Sequence, residues 1–442
     1  PSVSGSLVAY TTSDYNTGWM NGDIKLATLS DTDATSVTGS ELITNSTSFS
    51  NATGWYLDSA NTSSGTIATI AASGSNLVFT HSNTNNSWDG FGTSGTFVVG
   101  QTYTIETTIV SSTNINVLRI SADANQHAAD IATTINSAGT HSHTFVATAT
   151  TMYFHWNGYY TTSAITLSKF SVRLAEPDRS VNNKGLQVFG TITKTAVATG
   201  AELVSYSGFT DNNNNGLVQP YNEDVVFGTG DFTVMGWLKK TTTGTNDYAI
   251  SWATSSASVS GNPRWGIRAN DDTQTIAWNT NGSIIVDTGI VTSGYWQQVC
   301  FVRKSGVISG YVNGKLENSA TDGTNFTSSG SNSLLRIGNW TNGSYAFDGE
   351  LALWRISKTA PSAEQIAKIY RDEKVLFQAG AQATLYGASD AVTALAYDDT
   401  TEILHVGTSA GRSDFQGLRR INNTTTAVAT AISANKGMVV EQ

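Results

Sequence analysis

The stretch WQQVCFVRKSGVISGYVNGKL, residues 296–316, decides the fold of this chain. Its first eight residues are rich in β-branched and aromatic side chains, which suit the pleated surface of a strand. Val299 and Phe301 share one face of that strand, whereas Cys300 and Val302 share the other. Because both faces are apolar, we expect a central strand that is covered on its two sides.

Two turns follow this strand. Ser305 and Gly306 interrupt the apolar run, and residues 307–312 supply a second strand. Asn313 and Gly314 both tolerate a positive φ, which is the strongest short hairpin signal. The stretch therefore predicts a β-meander inside a larger sheet, and it holds no catalytic constellation.

The composition predicts an all-β protein. The chain has 442 residues, enough for two to four domains, of which 13% are charged, 10% are aromatic and 41 are glycine. Disordered chains lack aromatics and carry high charge, so this chain is predicted to fold. The net charge of −10 argues against nucleic-acid binding, and no apolar run is long enough to span a membrane. The single cysteine, Cys300, excludes an intramolecular disulfide.

Turn signals and composition divide the chain into five segments. Residues 1–38 are predicted to be an N-terminal leader or attachment segment, and residues 39–176 a jelly roll of short strands. The polar residues 177–185 form a linker. Residues 186–376 are predicted to form a second sandwich that ends in a short helix. Residues 381–442 resemble one propeller blade, a small β-cap that cannot bury its own faces.

One helix is predicted at the end of the second sandwich. Ser362 can cap its N-terminus, and Gln365 three residues later completes a capping box. Ile366, Ile369 and Tyr370 then lie on one stripe at helical spacing. The stripe predicts that the helix packs one face on a sheet.

Three stretches of the second sandwich carry a family resemblance: LVQPYNEDVVFGTGDFTVMGWLKK (217–240), YWQQVCFVRKSGVISGYVNGKL (295–316) and LLRIGNWTNGSYAFDGELALWRISKTAPSAEQIAKIY (334–370). They resemble the laminin-G-like, concanavalin-A-like lectin/glucanase superfamily. The first sandwich is similar to carbohydrate-binding jelly rolls in ELITNSTSFSNATGWYLD (41–58) and ITLSKFSVRLAE (165–176). The predicted fold is therefore a carbohydrate-binding-module-like jelly roll, a concanavalin-A-type sandwich and a C-terminal β-cap. Because such folds host lectins, enzymes and structural modules, fold alone does not give the function.

The arrangement as a whole resembles structural and tail-fibre proteins of marine bacteriophages, notably in residues 15–45, 184–209 and 417–442. That resemblance implies a non-enzymatic virion appendage, made in the host cytoplasm, that assembles with other virion proteins and contacts host-surface glycans. It also implies a homo-oligomer, with a trimer favoured. Three alternatives stay open: a secreted bacterial polysaccharide-binding adhesin, a purely structural fibre module, and a glycoside hydrolase.

Aromatic residues in polar turns are candidates for sugar binding. Sugars stack their C–H faces on aromatic rings, and their hydroxyl groups need polar partners. Packing in the core or at a subunit contact is the alternative for every such residue. The candidate residues are Trp88, Asp89, Trp156, Tyr159, Tyr160, Trp340 and Tyr345.

Two further patterns concern calcium and catalysis. Asp211, Asn213 and Asn215 follow the start of a calcium loop, although the closing glutamate is absent from position twelve. A plain Asn-rich turn is the alternative. Asp348 and Glu350 stand two apart on one strand face, but the chain lacks the E-x-D-x-x-E run that glucanases of this fold use. We therefore predict calcium as a candidate ligand of the Asp211 turn and no catalysis.

Overall fold

The computed structural model describes residues 24–58, 67–82, 90–124, 131–135, 137–158, 162–211, 214–241, 247–253, 264–270, 275–290, 292–327, 333–340, 342–387 and 391–442. These residues form 31 strands and one α-helix. The fold is all-β: a jelly-roll sandwich, a concanavalin-A-type sandwich and a small C-terminal cap, as the sequence predicts.

The first sandwich consists of two five-stranded antiparallel sheets. One sheet has the order β3 (Trp55–Asp58), β6 (Gly90–Thr96), β11 (Thr151–Gly158), β8 (Ile115–Ser121) and β9 (Ile131–Thr134). The other has the order β4 (Ile67–Ser73), β5 (Asn76–Ser82), β12 (Ser163–Glu176), β7 (Thr102–Thr113) and β10 (Gly139–Val146). Their inward faces meet in an aromatic core, where the ring centroids of Trp55, Phe91 and Trp156 lie 5.1 to 6.0 Å apart.

The second sandwich is larger. One sheet has the order β13 (Leu186–Ala196), β15 (Gly216–Gln219), β24 (Leu334–Ile337), β17 (Asp247–Ala253), β18 (Arg264–Asn270), β19 (Thr275–Thr280) and β20 (Ser283–Ile290). The other has the order β23 (Lys315–Thr321), β22 (Val307–Val312), β21 (Gln297–Lys304), β16 (Phe232–Lys240) and β25 (Gly349–Ser357). β1 (Ile24–Thr28) and β14 (Val204–Ser207) pair with the free edge of β25. β2 (Val37–Gly39) pairs with β13.

Strand β13 serves both sheets of the second sandwich. Its first part pairs with β15, and its last part pairs with β14 in the opposite sheet. The change occurs at Gly190, whose φ of +61° is open to glycine but strained for other residues. A Cβ there would also lie 2.0 Å from the carbonyl oxygen of Asn214.

Strand β21 is central, as predicted from the opening stretch, because it lies between β16 and β22. Val299 and Phe301 point into the core between the two sheets, and Cys300 points to the outer face. Asn313 and Gly314 adopt φ of +51° and +76°, so the predicted hairpin turn is confirmed.

The outer face of this second sheet is covered by helix α1 (Ala363–Glu373). The capping box is present: the Gln365 backbone N–H donates to Ser362 Oγ, and the Ser362 backbone N–H donates to Gln365 Oε1. Ile366 and Ile369 are fully buried against the sheet. No helix in the described ranges is long and apolar enough to cross a membrane.

A buried ion pair fixes this helix to the sheet. Glu373, the last residue of α1, is inaccessible to solvent and lies 2.5 Å from the guanidinium of Arg355 on β25. Trp237 on β16 donates its indole N–H to the other Glu373 oxygen at 2.6 Å. The helix end is therefore tied to two adjacent strands.

The predicted leader and linker meet in space. The Asp178 carboxylate accepts hydrogen bonds from the backbone N–H groups of Ala27, Ser180 and Lys184 at 2.9 to 3.0 Å. Asn182 donates to the backbone oxygen of Ile24 at 3.0 Å. This segment thus holds β1 beside β25, a pairing across more than 300 residues that no local pattern indicates.

Four strands and a hairpin form the C-terminal cap. The sheet has the order β26 (Val392–Asp398), β27 (Ile403–Thr408), β28 (Gly411–Gln416) and β29 (Arg419–Asn423), and the hairpin comprises β30 (Ile432–Asn435) and β31 (Met438–Glu441). The hairpin packs on one face of the sheet, where Arg412 lies 3.2 Å from Glu441. Glu202 of the second sandwich accepts hydrogen bonds from the backbone N–H groups of Ala383 and Thr384, which ties the chain leading into the cap to that sandwich.

Candidate functional site

A polar cleft opens at one end of the second sandwich, where β25 begins. It has a volume of about 320 Å³. Residues from four separate parts of the chain line it: Thr195, Ser207, Gly208, Phe209, Thr241, Ala346, Phe347, Asp348, Gly349 and Glu350. Most of these side chains are small or polar, so the cleft offers hydrogen-bonding groups rather than an apolar pocket.

The carboxylate of Glu350 is fixed in the wall of this cleft. Lys239 Nζ lies 2.8 Å from one carboxylate oxygen, and Ser205 Oγ donates to the other at 2.7 Å. Asp348 is held through its backbone, because its N–H donates to Asp247 at 2.9 Å. Its side chain is exposed. The wall is thus ordered before any ligand binds.

An exposed tyrosine stands next to this wall. Tyr345 is 53% exposed and has a φ of +56°. Its backbone oxygen accepts a hydrogen bond from Tyr248 N–H at 3.0 Å, and Asp211 accepts one from Ala346 N–H at 2.8 Å. The structure therefore brings together Tyr345, the Asp211 turn and the Asp348–Glu350 pair, which the sequence presents as three unrelated patterns.

Trp340, the other candidate in this loop, has a different place. It is only 6% exposed, and its ring centroid lies 4.4 Å from that of Tyr248. The prediction that Trp340 offers a ring face to sugar is wrong, because its ring packs on the sheet. Trp340 instead supports the loop that presents Tyr345.

Trp156 of the first sandwich is also a core residue. It is inaccessible to solvent and stacks on Phe91 with an interplanar angle of 5° and a centroid distance of 5.1 Å. The prediction that Trp156 offers its ring to sugar from a polar turn is wrong. Trp156 and Phe91 belong to regular strands whose alternation directs both rings between the two sheets.

Four candidates of the first sandwich lie outside the described residues: Trp88, Asp89, Tyr159 and Tyr160. Their role stays a prediction. Gly90, at the start of β6, pairs with Asn157, near the end of β11. The strand ends that lead to these two segments are therefore neighbours.

The proposed calcium loop is only partly described, because Asn213 lies outside the described residues. The Asn215 side chain is engaged in the turn: its oxygen accepts from Thr191 N–H at 3.1 Å and its nitrogen donates to the Gly208 oxygen at 2.9 Å. Asn215 therefore does not fit a calcium ligand as it stands. Within the described ranges, no three His, Cys, Asp or Glu residues lie together in a metal-ligating group.

The sequence analysis did not identify most of the residues that line the cleft. Thr195, Ser207, Phe209 and Thr241 come from strand ends whose proximity depends on the pairing of the sheets. Asp348 and Glu350 could have been identified from the sequence, because two acidic residues two positions apart lie on one strand face. We interpreted them only as a poor match to a catalytic motif.

A family model identifies this sandwich. Residues 212–367 match Laminin_G_3, the concanavalin A-like lectin/glucanases superfamily. The chain contains a concanavalin A-like lectin/glucanase domain. The cleft belongs largely to this domain, and Thr195, Ser207, Gly208 and Phe209 extend it beyond the matched residues. No curated protein matches the chain.

Solved structures show distant likeness in fold. Domain 4 of AbnA, a GH43 extracellular arabinanase from Geobacillus stearothermophilus, has a TM-score of 0.33 and 19% identity over 41% of this chain and 82% of that one. The binding domain of Paraclostridial Mosquitocidal Protein 1 has a TM-score of 0.36 and 15% identity over 54% of this chain and 62% of that one. The CBM40 of Ruminococcus gnavus IT-sialidase has a TM-score of 0.30 and 12% identity over 38% of this chain and 96% of that one. Likeness of this degree does not bear on the function of this chain.

Proposed function

We propose that this chain is a non-enzymatic, glycan-binding virion appendage protein of the tail-fibre kind. The observation that carries the glycan-binding part is the ordered polar cleft beside exposed Tyr345. The superfamily matched by residues 212–367 includes both lectins and glucanases, so the side chains of the cleft decide between binding and catalysis. The virion role is supported by the sequence resemblance described above.

The cleft suits a short stretch of oligosaccharide. Its volume of about 320 Å³ is at the small end of ligand pockets. Asp348, Glu350 and the Thr195 hydroxyl supply acceptors and donors for sugar hydroxyls, and the Tyr345 ring supplies an exposed face for stacking. Stacking next to directed hydrogen bonds is the arrangement that sugar recognition needs.

The same cleft is poorly arranged for glycoside hydrolysis. That reaction needs two carboxyl groups across one bond, one to donate a proton and one to attack or activate water. Glu350 is instead bound to Lys239 and Ser205 through both its oxygens. We therefore assign binding rather than catalysis to this site.

Replacement of Tyr345 by Asn is expected to lower affinity for the bound glycan at least tenfold, because the stacking ring is lost. Asn tolerates the positive φ of this position, so the loop is retained. The measurement is a screen of the intact protein on an array of bacterial surface polysaccharides, with calcium and with chelator, followed by titration of the strongest ligand.

Tyr295→Ala provides the matched control, because Tyr295 is 67% exposed and does not line the cleft. Tyr345→Phe should retain most of the affinity, because the ring remains. Equal loss in the Tyr295 and Tyr345 variants, or no binding to any glycan by a correctly assembled protein, would contradict glycan binding at this cleft.

Exposed apolar residues of the cap support the homo-oligomer. Seven of the eighteen large apolar side chains that are exposed in the described ranges lie between residues 392 and 440. Leu395 and Tyr397 lie on the sheet face opposite the hairpin, and Met438 and Val440 lie on the outer side of the hairpin. Two apolar patches on opposite sides favour head-to-tail contacts that close into a ring, such as a trimer.

Tyr397→Lys is expected to convert the oligomer to monomers at micromolar concentration, because a charge then enters the apolar contact. Sedimentation velocity of the intact chain measures the mass. Val307→Lys is the control, because Val307 is 41% exposed on a strand of the second sandwich. A monomeric parent protein, or an unchanged mass for Tyr397→Lys, would refute this interface.

A further inference from the structure

We infer that Lys184 and Asn222 join into an intramolecular isopeptide bond, with Asp224 as the general base. The Lys184 amine attacks the side-chain carbonyl carbon of Asn222, and ammonia leaves. This modification closes the chain covalently and does not depend on glycan binding. It follows from the arrangement of three side chains where the segment before β13 meets the turn after β15.

The amine and the carbonyl group are already in contact in the folded chain. Lys184 Nζ lies 2.9 Å from Asn222 Oδ1, although the two residues are 38 positions apart. Asn222 is 3% exposed, so its amide is fixed in place. The Lys184 side chain is 38% exposed, which leaves it free to move the short distance from the oxygen to the carbonyl carbon. Holding two reacting groups together in this way is equivalent to an effective concentration of roughly 10⁵–10⁸ M.

Asp224 is in place to take the proton of the amine. Its Oδ2 lies 2.7 Å from Lys184 Nζ, and its other carboxylate oxygen lies 3.7 Å from Lys25 Nζ. An ammonium group is not a nucleophile, so the attack requires a base within hydrogen-bonding distance. The Asp224 carboxylate meets this requirement without any movement of the backbone.

Hydrogen bonds around Asn222 prepare its amide for attack. Oδ1 accepts the Asp224 backbone N–H at 2.9 Å, a donor that stabilises the negative charge that develops on this oxygen. The leaving nitrogen, Asn222 Nδ2, donates to Gln219 Oε1 at 3.2 Å. Gln219 in turn donates its own amide to the Lys184 backbone oxygen at 2.6 Å. One small network therefore holds the nucleophile, the carbonyl oxygen and the leaving group.

The reaction balances without any added reagent. Asp224 takes one proton from the Lys184 ammonium, and the neutral nitrogen forms a bond to Asn222 Cγ. Asp224 then passes its proton to Nδ2, the bond between Cγ and Nδ2 breaks, and ammonia leaves. The second proton of the lysine nitrogen passes through Asp224 to water. One amine and one primary amide thus give one secondary amide and one ammonia, with no change of oxidation state.

The bond stabilises the junction between the two sandwiches. A cross-link between distant residues stabilises a fold mainly by restricting the unfolded chain. Tyr221, next to Asn222, accepts a hydrogen bond from Ser142 Oγ of the first sandwich at 3.2 Å. The covalent bond therefore lies beside a direct contact between the sandwiches.

Mass spectrometry of the intact protein tests this inference. We expect the folded chain to be lighter than its sequence by one ammonia, and a digest to contain a branched peptide in which Lys184 is joined to Asn222. Lys184→Arg should restore the full mass and retain the positive charge beside Asp224. In Asp224→Asn the linked fraction at a fixed time after expression should fall at least about tenfold, because the base is lost.

Lys169→Arg is the matched control, because Lys169 Nζ also contacts a carboxylate, that of Glu106, at 2.7 Å. It should retain the branched peptide. Tryptophan fluorescence shows whether each variant folds, and if Lys184→Arg does not fold, the parent and Asp224→Asn decide. A folded parent with its full sequence mass and an unmodified Lys184 would overturn the inference. Loss of ammonia that persists in Lys184→Arg would overturn it too, because another asparagine would be its source.

Discussion

Glu373→Ala is expected to lower the free energy of unfolding by about 3–5 kcal/mol, the size of effect seen when one partner of a buried ion pair is removed. The substitution leaves Arg355, which is 2% exposed, as a buried charge without its carboxylate. It also removes the acceptor of the Trp237 indole N–H. Urea unfolding of the intact protein, followed by tryptophan fluorescence, measures the change.

Two further variants test whether the loss of stability comes from the broken ion pair or from the change in the helix. Asp372→Ala changes the neighbouring residue, whose bond with Lys368 is on the surface, and should change stability by less than about 1 kcal/mol. Arg355→Met combined with Glu373→Leu should recover most of the stability, because neither charge is then buried alone. A loss below about 1 kcal/mol for Glu373→Ala would show that the pair does not anchor the helix.

The stability contributed by Glu176 is expected to fall as the pH rises from 4.5 to 7, by on the order of 3 kcal/mol. Burial raises the pKa of this carboxyl to about 7, against the opposing effect of nearby Lys194. The folded protein therefore binds more protons than the unfolded chain in this range, and linkage requires that stability decreases as pH increases. Tyr206 donates its hydroxyl to the buried carboxyl at 2.8 Å, which keeps the group in place.

Glu176→Gln isolates this contribution, because an amide retains the acceptor and does not titrate. Denaturant unfolding at pH 5 and pH 8 should show that the stability of the parent relative to this variant is greater at pH 5. The ion pair between Asp31 and Lys194, whose charged groups lie 2.6 Å apart, is present in both proteins. Its contribution therefore cancels in the difference between parent and variant. A parent-to-variant difference that is constant with pH, or that grows toward pH 8, would contradict the assignment.

Local sequence predicted what depends on local chemistry. The Asn313–Gly314 turn, the two-sided strand β21 and the capping box at Ser362 all depend on residues within a few positions of one another.

Features that depend on long-range pairing were not predictable in this way. The insertion of β1 beside β25 joins residues separated by more than 300 positions. The cleft is built from strand ends of the same distant pairings, and for that reason it has no motif. A single residue, Tyr345, was identified correctly as exposed because its polar turn lies at the surface.

Aromatic residues in Asn- and Gly-rich surroundings gave the main errors. Trp156 and Trp340 stand beside Asn and Gly in the sequence, yet both rings are buried. Trp156 lies on a regular strand, whereas Trp340 is covered by the contact with Tyr248, a residue 92 positions earlier. Composition near an aromatic residue therefore does not separate a binding ring from a packing ring.

The most direct test of glycan binding is a crystal structure of the intact protein with the oligosaccharide that binds most tightly in solution. The account predicts a sugar ring stacked on Tyr345, with hydroxyl groups hydrogen-bonded to Asp348 or Glu350 inside the cleft. A ligand bound elsewhere on the protein, with this cleft empty, would contradict it.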